Sequence, residues 1–503
     1  METELTSAVV DSVATDDRAF RLERRGIDFV PERERWAKPR DLFRMWAGAS
    51  LQVENFVYGV VLMTFGFDFA QAVILTVLGN CSYVLLGLAS LQGPTTGTTT
   101  FVINRASFGP RGSRLLALFN WLTMVGFETE GLILIVFAGE ALAIRAGLVP
   151  GTPLRIALIV GAAAIQLVLP LLGHASVVKA LRWLTLPFLA LYVLLAIFTL
   201  HHADLSVNHV GAGWETFMGG LAFVIVLSGL GWAECGNDYS RYLPSGSNRR
   251  SIVCWVVAGT ALPQIALMLL GCAVGTYTAG ALAGGDPFQA FVTPHVHIFA
   301  TGFVTPFLLV AIVQLFAVNS LDLYSSGVTL QALGIRIPRW QAVFVDTAIC
   351  LGLTSYAVFD SSFSTLLKDF VDLVVVWIAP WVAIFLTDWV LRRFRYSPHG
   401  LQQGDARSPY YGSRGISWPG VLAQVAGMMA AIECLAGDFQ MPAWLHAANF
   451  ALGGHLPGEG ADFSVFAGMT IAALTYALLF RLRRSRAVRL DMFEHEDANA
   501  PTP

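Results

Sequence analysis

Six carboxylates, Glu54, Glu128, Glu130, Glu140, Glu234 and Asp322, fall within or at the edges of stretches that are otherwise apolar. A charge at the centre of a membrane-spanning helix costs roughly 2.5–3.5 kcal/mol on insertion scales, so acids placed there face a bundle interior and mark a pathway. The chemistry open to them is proton uptake and release, because desolvation and a neighbouring carboxylate both favour the neutral form of a carboxyl. Glu54, Glu128, Glu130 and Asp322 are the candidates for that work. Glu140 and Glu234 sit near span ends, where a solvated or capping carboxylate is the expectation.

Polar residues also interrupt two apolar segments. Residues 42–66 carry Gln52, Glu54 and Asn55 in their middle, and residues 217–237 read FMGGLAFVIVLSGLGWAECGN. In hydrocarbon an unpaired backbone amide costs several kcal/mol, so non-helical backbone persists only where it lines a protein-walled cavity. Broken spans at matching positions in two halves of a chain point to a substrate site near the bilayer midplane.

The elements that must hold these residues follow from composition. The chain has 503 residues, is 55% hydrophobic and only 13% charged, with a mean hydropathy of +0.61. An ordinary soluble domain carries roughly 25% charged residues, so this is an all-α polytopic membrane protein. Stretches near the roughly 20-residue spanning length lie at 43–66, 69–92, 115–143, 156–173, 180–200, 215–236, 252–275, 298–321, 341–358, 364–391, 418–436 and 463–481, which makes twelve. Basic residues should gather on the cytoplasmic side. With both termini inside, nearly all of them do, and only Arg145, Arg155 and Lys368 fall outside, while the outer loops 201–212, 276–297 and 437–461 hold no lysine or arginine.

The expected organisation is a cytoplasmic tail at 1–41, a ten-helix core at 42–391 with inverted repeats at about 42–200 and 215–391, a cytoplasmic loop at 392–416, two further helices within 417–482, and a cytoplasmic tail at 483–503. Residues 1–20 and 491–503 read as disordered, and 21–41 as a solvated basic flank. No signal peptide is visible, so the first span directs insertion. The six cysteines show no paired spacing and read as packing residues. The net charge of −3 makes no case for nucleic acid. A metal-dependent membrane enzyme would need ligands at a usable spacing, and the sequence holds no His-Glu-x-x-His run. A channel would need pore-lining rings, which the pattern does not suggest. No cofactor, no metal and no obligate protein partner is expected.

The sixth span ends in GWAECGNDYSRYLP (231–244), which resembles the Gly-Trp…Asp-Tyr-Ser/Thr-Arg-Tyr-Leu-Pro element of the purine/cytosine permease family of nucleobase:cation symporters. Gly93-Pro94-x-x-Gly97 followed by Asn104-Arg105-x-Ser107-Phe108-Gly109, Asn55-Phe56…Gly59, Leu323-Tyr324-Ser325 and WIAPWVAIFLTDWVLRRFRY (377–396) are similar to further family elements, in family order from about residue 42 to 430. The resemblance implies a leucine-transporter-like fold, two inverted five-helix repeats plus two C-terminal helices, without enzymatic chemistry. It implies import of cytosine or a purine by cation symport through alternating access, in the plasma membrane, with lipid as the surrounding partner. A relative specialised for allantoin, a hydantoin or a pyridine-type vitamin, and coupled to sodium, is the alternative.

The same resemblance locates the site. The third-span aromatic falls on Phe127, and the hydrogen-bonding position one turn later on Gly131, where relatives carry Asn or Gln. The sixth-span aromatic position is Gly229, with Ser228 beside it and Trp232 one turn on. The eighth-span Asn corresponds to Asp322, and Asn319 shares its helix face. A flat ring needs stacking faces and a few fixed polar groups. Phe127 and Trp232 supply faces, while Gln52, Asn55, Ser228 and Asp322 supply edges. Glu130 shares the face of Phe127, whereas Glu128 is turned about 100° away. Sodium-coupled relatives use eighth-span hydroxyls with first-span carbonyls. Here that stretch reads Leu315-Phe316-Ala317-Val318, so a proton is expected as coupling ion rather than sodium. Arg105 and Arg241 are expected to be structural, tying loops to helix ends or to Asp238.

Overall fold

Among the described residues the regular structure is helical. The computed structural model describes residues 29–171, 174–206, 211–278, 286–288, 291–292, 299, 302–334, 339–360, 362–435 and 461–487. The tails expected at 1–20 and 491–503, and nearly all of the 437–461 loop, lie outside these.

Helices stand at each of the twelve expected places. The first is split into α1a (Pro39–Ser50) and α1b (Val53–Met63), and the second into α2a (Phe69–Asn80) and α2b (Tyr83–Ala89). Then come α3 (Arg105–Arg145), α4 (Thr152–Leu171) and α5 (His174–Leu200). The sixth is interrupted between α6a (Trp214–Ile225) and α6b (Gly236–Ser240). It is followed by α7 (Arg249–Thr278), α8 (Val304–Leu333), α9 (Arg339–Asp360), α10 (Phe363–Leu391), α11 (Trp418–Glu433) and α12 (Ser464–Ala487). Among the described residues, eight helical stretches are long and apolar enough on their own to cross a membrane.

Two boundaries move from their expected places. The helical path into α3 begins before the expected 115, because the inner loop is itself helical: short turns at Gly93–Thr96, Thr100–Ile103 and 105–108 lead to a kink at Gly109 (φ 76°, ψ 164°) and Pro110, from which the long part of α3 runs to Arg145. α8 continues to Leu333 rather than ending near 321. Hydropathy reports hydrocarbon thickness, whereas a helix ends where its capping and packing end.

Packing fixes the two repeats against each other. α3 lies along α8, and α7 lies against both halves of α1, while α10, α11 and α12 form a group of their own. Gly59 of α1b and Gly271 of α7 let two main chains meet: a Cβ at Gly59 would strike the Met268 carbonyl, and one at Gly271 the Phe56 carbonyl. Small residues serve this purpose wherever spanning helices approach closely.

The basic residues gather at one end, termed here the inner end. Arg105 donates to the carbonyls of Leu401 and Gln402, at 2.8 and 3.1 Å, as a loop-tying residue should. Residues 29–38 also pack there instead of forming a solvated flank. Val30 N–H donates to the Gly97 carbonyl at 2.8 Å and Ala37 N–H to the Tyr242 carbonyl at 3.1 Å. Buried Arg35 donates to the carbonyls of Val30 and Pro94 and pairs with Glu32; its burial pulls the guanidinium below its usual pKa, with Glu32 opposing. Charge composition alone did not reveal this docking, because the bound partners are main-chain carbonyls of distant loops.

Asp388 and Arg392 form a buried ion pair at this end. Arg392 Nε lies 2.8 and 3.0 Å from the two oxygens of fully buried Asp388, which also accepts from the hydroxyls of Tyr396 and Tyr476. The guanidinium reaches the Ala106 carbonyl at 2.9 Å and lies over Tyr410 and Phe480. One ion pair thus joins α10, α12, the 392–416 loop and the start of α3. Removing one member of a buried pair costs about 3–5 kcal/mol. Arg392→Met is therefore expected to lower the thermal midpoint of the detergent-solubilised protein markedly, and Asp388→Asn added to it should recover part of the loss; equal midpoints for wild type and Arg392→Met would contradict the assignment.

Candidate functional site

Both interrupted helices are repaired by a carboxamide from a neighbour. At the first break, Leu51 and Gln52 leave helical geometry (Gln52 φ −128°, ψ 151°). Gln314 of α8 then takes the place of the missing turn, its Oε1 accepting from Val53 N–H at 3.1 Å and its Nε2 donating to the Leu51 carbonyl. Asn55 closes the remaining gap by donating to the Ser50 carbonyl at 2.7 Å. At the second break, Ser228 departs from helix (φ −111°, ψ −123°) and Gly231 N–H reaches back five residues to the Val226 carbonyl at 2.9 Å. Gln264 of α7 donates to the Leu227 carbonyl at 3.1 Å and to Ser228 Oγ at 3.0 Å, and accepts from Tyr83. Gly229 N–H is met by Ser82 Oγ at 3.0 Å.

Around the first break the acids assemble. Glu130 of α3 accepts from Tyr58 of α1b at 3.2 Å, and Glu54 lies close enough to Glu130 and Asp322 for their charges to interact. All three are buried. Among the described residues no lysine or arginine pairs with any of them. Gln52 Oε1, Glu130 Oε1 and Asn319 Oδ1 are buried without a hydrogen-bond partner. Glu128, rotated off this face, turns to α9, where the Cys350 thiol lies 3.7 Å from its Oε2.

Asn319 donates to the Glu128 carbonyl at 3.0 Å and to Gln166 of α4 at 3.2 Å. It occupies the space beside Gly131, where a Cβ would collide with the Asn319 amide. The missing third-span side chain is thus answered by one from α8. Gly229 is pressed against the main chain at Ser82 and Tyr83, facing α2 and not the acids. Of the aromatics, Phe127 is half-buried with Phe370 of α10 edge-on at 5.0 Å. Half-buried Trp232 packs on Trp46 at 5.9 Å, within a cluster that includes Tyr239.

The two span-end acids behave differently from each other. Glu140 pairs with Arg155 at 2.8 Å, away from the site. Glu234 is buried rather than solvated, with the Cys235 thiol 2.9 Å from one oxygen and no partner on the other; the broken α6 carries it inward. Tyr58, Gln264, Gln314 and Phe370 escaped sequence reasoning. The signal available for the two glutamines was a carboxamide inside an apolar span.

Two repeats, each opening on a helix broken and resealed around buried polar groups, define a membrane transporter. Comparison with known proteins narrows the class. Residues 29–456 match the family model described as a permease for cytosine/purines, uracil, thiamine and allantoin, and the chain belongs to that family. The putative purine-cytosine permease YxlA of Bacillus subtilis is 25% identical over 478 residues, covering 92% of this chain and 97% of its own. The purine-cytosine permease fcyB of Emericella nidulans is 26% identical over 411 residues, covering 77% of each. Among solved structures, Mhp1, a nucleobase-cation-symport-1 family transporter in a closed conformation with bromovinylhydantoin bound, superposes with a TM-score of 0.65 at 19% identity, over 92% of this chain and 95% of that one. Its inward-facing conformation gives 0.68 at 18% identity, over 92% and 96%. The fold is therefore the leucine-transporter-like arrangement of inverted repeats, and the protein is a permease, not an enzyme.

Gly131 and Asn319 offer a direct check on the site. Overpacking a filled interior costs about 1–3 kcal/mol, so Gly131→Ala should lower thermal stability by that order, and much less when Asn319 is already alanine. Simple additivity in that double-mutant cycle would mean that the two residues do not touch.

Proposed function

We propose that the protein imports a nucleobase, cytosine or a purine, together with a proton, across the plasma membrane with both termini in the cytoplasm. The observation that carries the reading is the trio Glu54, Glu130 and Asp322, buried around the α1 break with no cation among the described residues. An unpaired carboxylate taken out of water costs several kcal/mol, whereas the protonated acid is held by ordinary hydrogen bonds. Loading a proton from the outer side therefore favours closure of the cavity, and closure over a ring favours holding the proton. That mutual preference is the coupling free energy of a symporter, and it is reciprocal.

The side chains near the breaks support this substrate class. Phe127 offers a stacking face, and Trp232 a second one nearer the inner end. Asp322, standing where relatives carry Asn, accepts from ring N–H and exocyclic amino groups, which suits cytosine, adenine and guanine. The names of the permease relatives, purine-cytosine permeases from a bacterium and a fungus, agree with this. Sodium is disfavoured by the same geometry: Leu315, Phe316, Ala317 and Val318 carry no hydroxyl, and the Leu51 carbonyl of the first break already accepts from Gln314.

Vesicles containing the purified protein should accumulate labelled cytosine or a purine under an inward acid gradient, faster as the outer pH is lowered, without sodium. Asp322→Asn and Glu130→Gln should each cut that uptake by about tenfold or more. Accumulation that requires sodium and ignores the proton gradient would sink the proposal, as would full proton-driven uptake in both variants.

A further inference from the structure

Glu128 is not part of the trio at the first break, and its surroundings lead away from the substrate toward the inner end. The Cys350 thiol of α9 lies 3.7 Å from Glu128 Oε2. One turn along α9 from Cys350 stands Asp346, buried, accepting from Trp121 Nε1 of α3 at 2.9 Å and from the Ser326 hydroxyl of α8. Residues four apart on a helix are neighbours, so Ser326 is one turn from Asp322 just as Asp346 is one turn from Cys350. Glu128 is near enough to both Asp322 and Asp346 for their charges to interact. The next polar layer is Asn120, whose amide donates to Thr329 Oγ1 at 3.2 Å. Asp346 stands seven residues from the start of α9 at Arg339, or about 10 Å along the axis.

This is an unusual interior. Glu128, Asp346 and Ser326 are completely buried where α3, α8 and α9 meet, and Glu128 Oε1 has no partner. Among the described residues the titratable groups facing the two acids are Asp322 and Cys350, and no lysine or arginine pairs with either. Packing alone is better served by apolar side chains here, since buried acids without a cation weaken a core. Intramembrane acids that are not neutralised by a partner mark proton relays.

We propose that Glu128 and Asp346 form the exit route for the coupling proton, carrying it from Asp322 to the inner end between α3, α8 and α9. Each transfer breaks one carboxylic O–H and makes another: Asp322 gives its proton to the Glu128 carboxylate, Glu128 to the Asp346 carboxylate, and Asp346 to water at the inner end. Glu128 lies off the face of α3 that carries Glu130, so the proton and the substrate need not share a path. Ser326 and Trp121 are positioning residues that hold Asp346 in line. The inference rests on the proton-symport reading above and adds residues that lie outside the substrate site.

The test separates net uptake from exchange. Exchange of labelled for unlabelled cytosine at equal pH needs no proton release, because the carrier stays protonated through both half-turns; concentrative uptake needs release in every cycle. In vesicles, Asp346→Asn and Glu128→Gln are expected to lose proton-driven accumulation and substrate-induced acidification of the lumen by about tenfold or more, with exchange kept within about twofold of wild type. Asp346→Glu, which keeps the acid, should retain net uptake. Should one amide variant fail to fold, the other carries the test. Wild-type lumen acidification in either folded amide variant overturns the route, and so does loss of exchange together with net uptake. If wild type itself accumulates cytosine without moving protons, the symport reading fails and the route falls with it.

Discussion

An amide in lipid must find a partner, and this structure is organised around the two places where the helix cannot provide one. A glutamine side chain carries one acceptor and one donor group, like a peptide unit. Gln314 and Gln264 stand in for the absent turns of α1 and α6, bonding the chain on both sides of the first break and the carbonyl before the second. The repair has a mechanical consequence. Because Gln314 is carried by α8, the helix that also bears Asn319 and Asp322, any shift of α8 against its neighbours is felt at the opening of α1.

Charge is sorted with equal care. Where an acid has a cation, as Asp388 with Arg392 or Glu140 with Arg155, the pair sits at an end of the bundle and fastens elements together. The acids deeper in the bundle are left without one among the described residues, and the rotation of α3 divides them. Glu130 faces α1 through Tyr58, and Glu128 faces α9 through Cys350. Two residues apart in sequence, they belong to different polar regions because about 100° of helical rotation separates successive side chains. A carboxyl without a cation beside it can change protonation more readily than a salt-bridged one.

The Asp388–Arg392 contact ties the last helix to the core, so α11 and α12 are not a loose appendage. Tyr476 of α12 and Tyr396 and Tyr410 of the inner loop all close on that pair, whose arginine also reaches α3. The docked segment 29–38 performs a similar service, joining the loop after α2 to the loop after α6. The strap thus links the loop after α2, in the first repeat, to the chain just after α6, in the second.

Much of the architecture was legible in the order of residues. Apolar stretches long enough to span marked the places where helices stand among the described residues, the basic loops marked one end, and the polar interruptions within 42–66 and 217–237 marked both breaks, since each of these is a local property set by transfer from water to hydrocarbon. What only the tertiary structure decided is which side chain completes each break and which way each acid turns. Gln314 and Gln264 are hundreds or tens of residues from the carbonyls they serve, Asn319 fills the space that Gly131 leaves, Gly229 faces α2, and Glu234 is drawn inward by the broken α6. Such partnerships depend on helix rotation and on contacts between distant spans, and a one-dimensional pattern of hydropathy records neither.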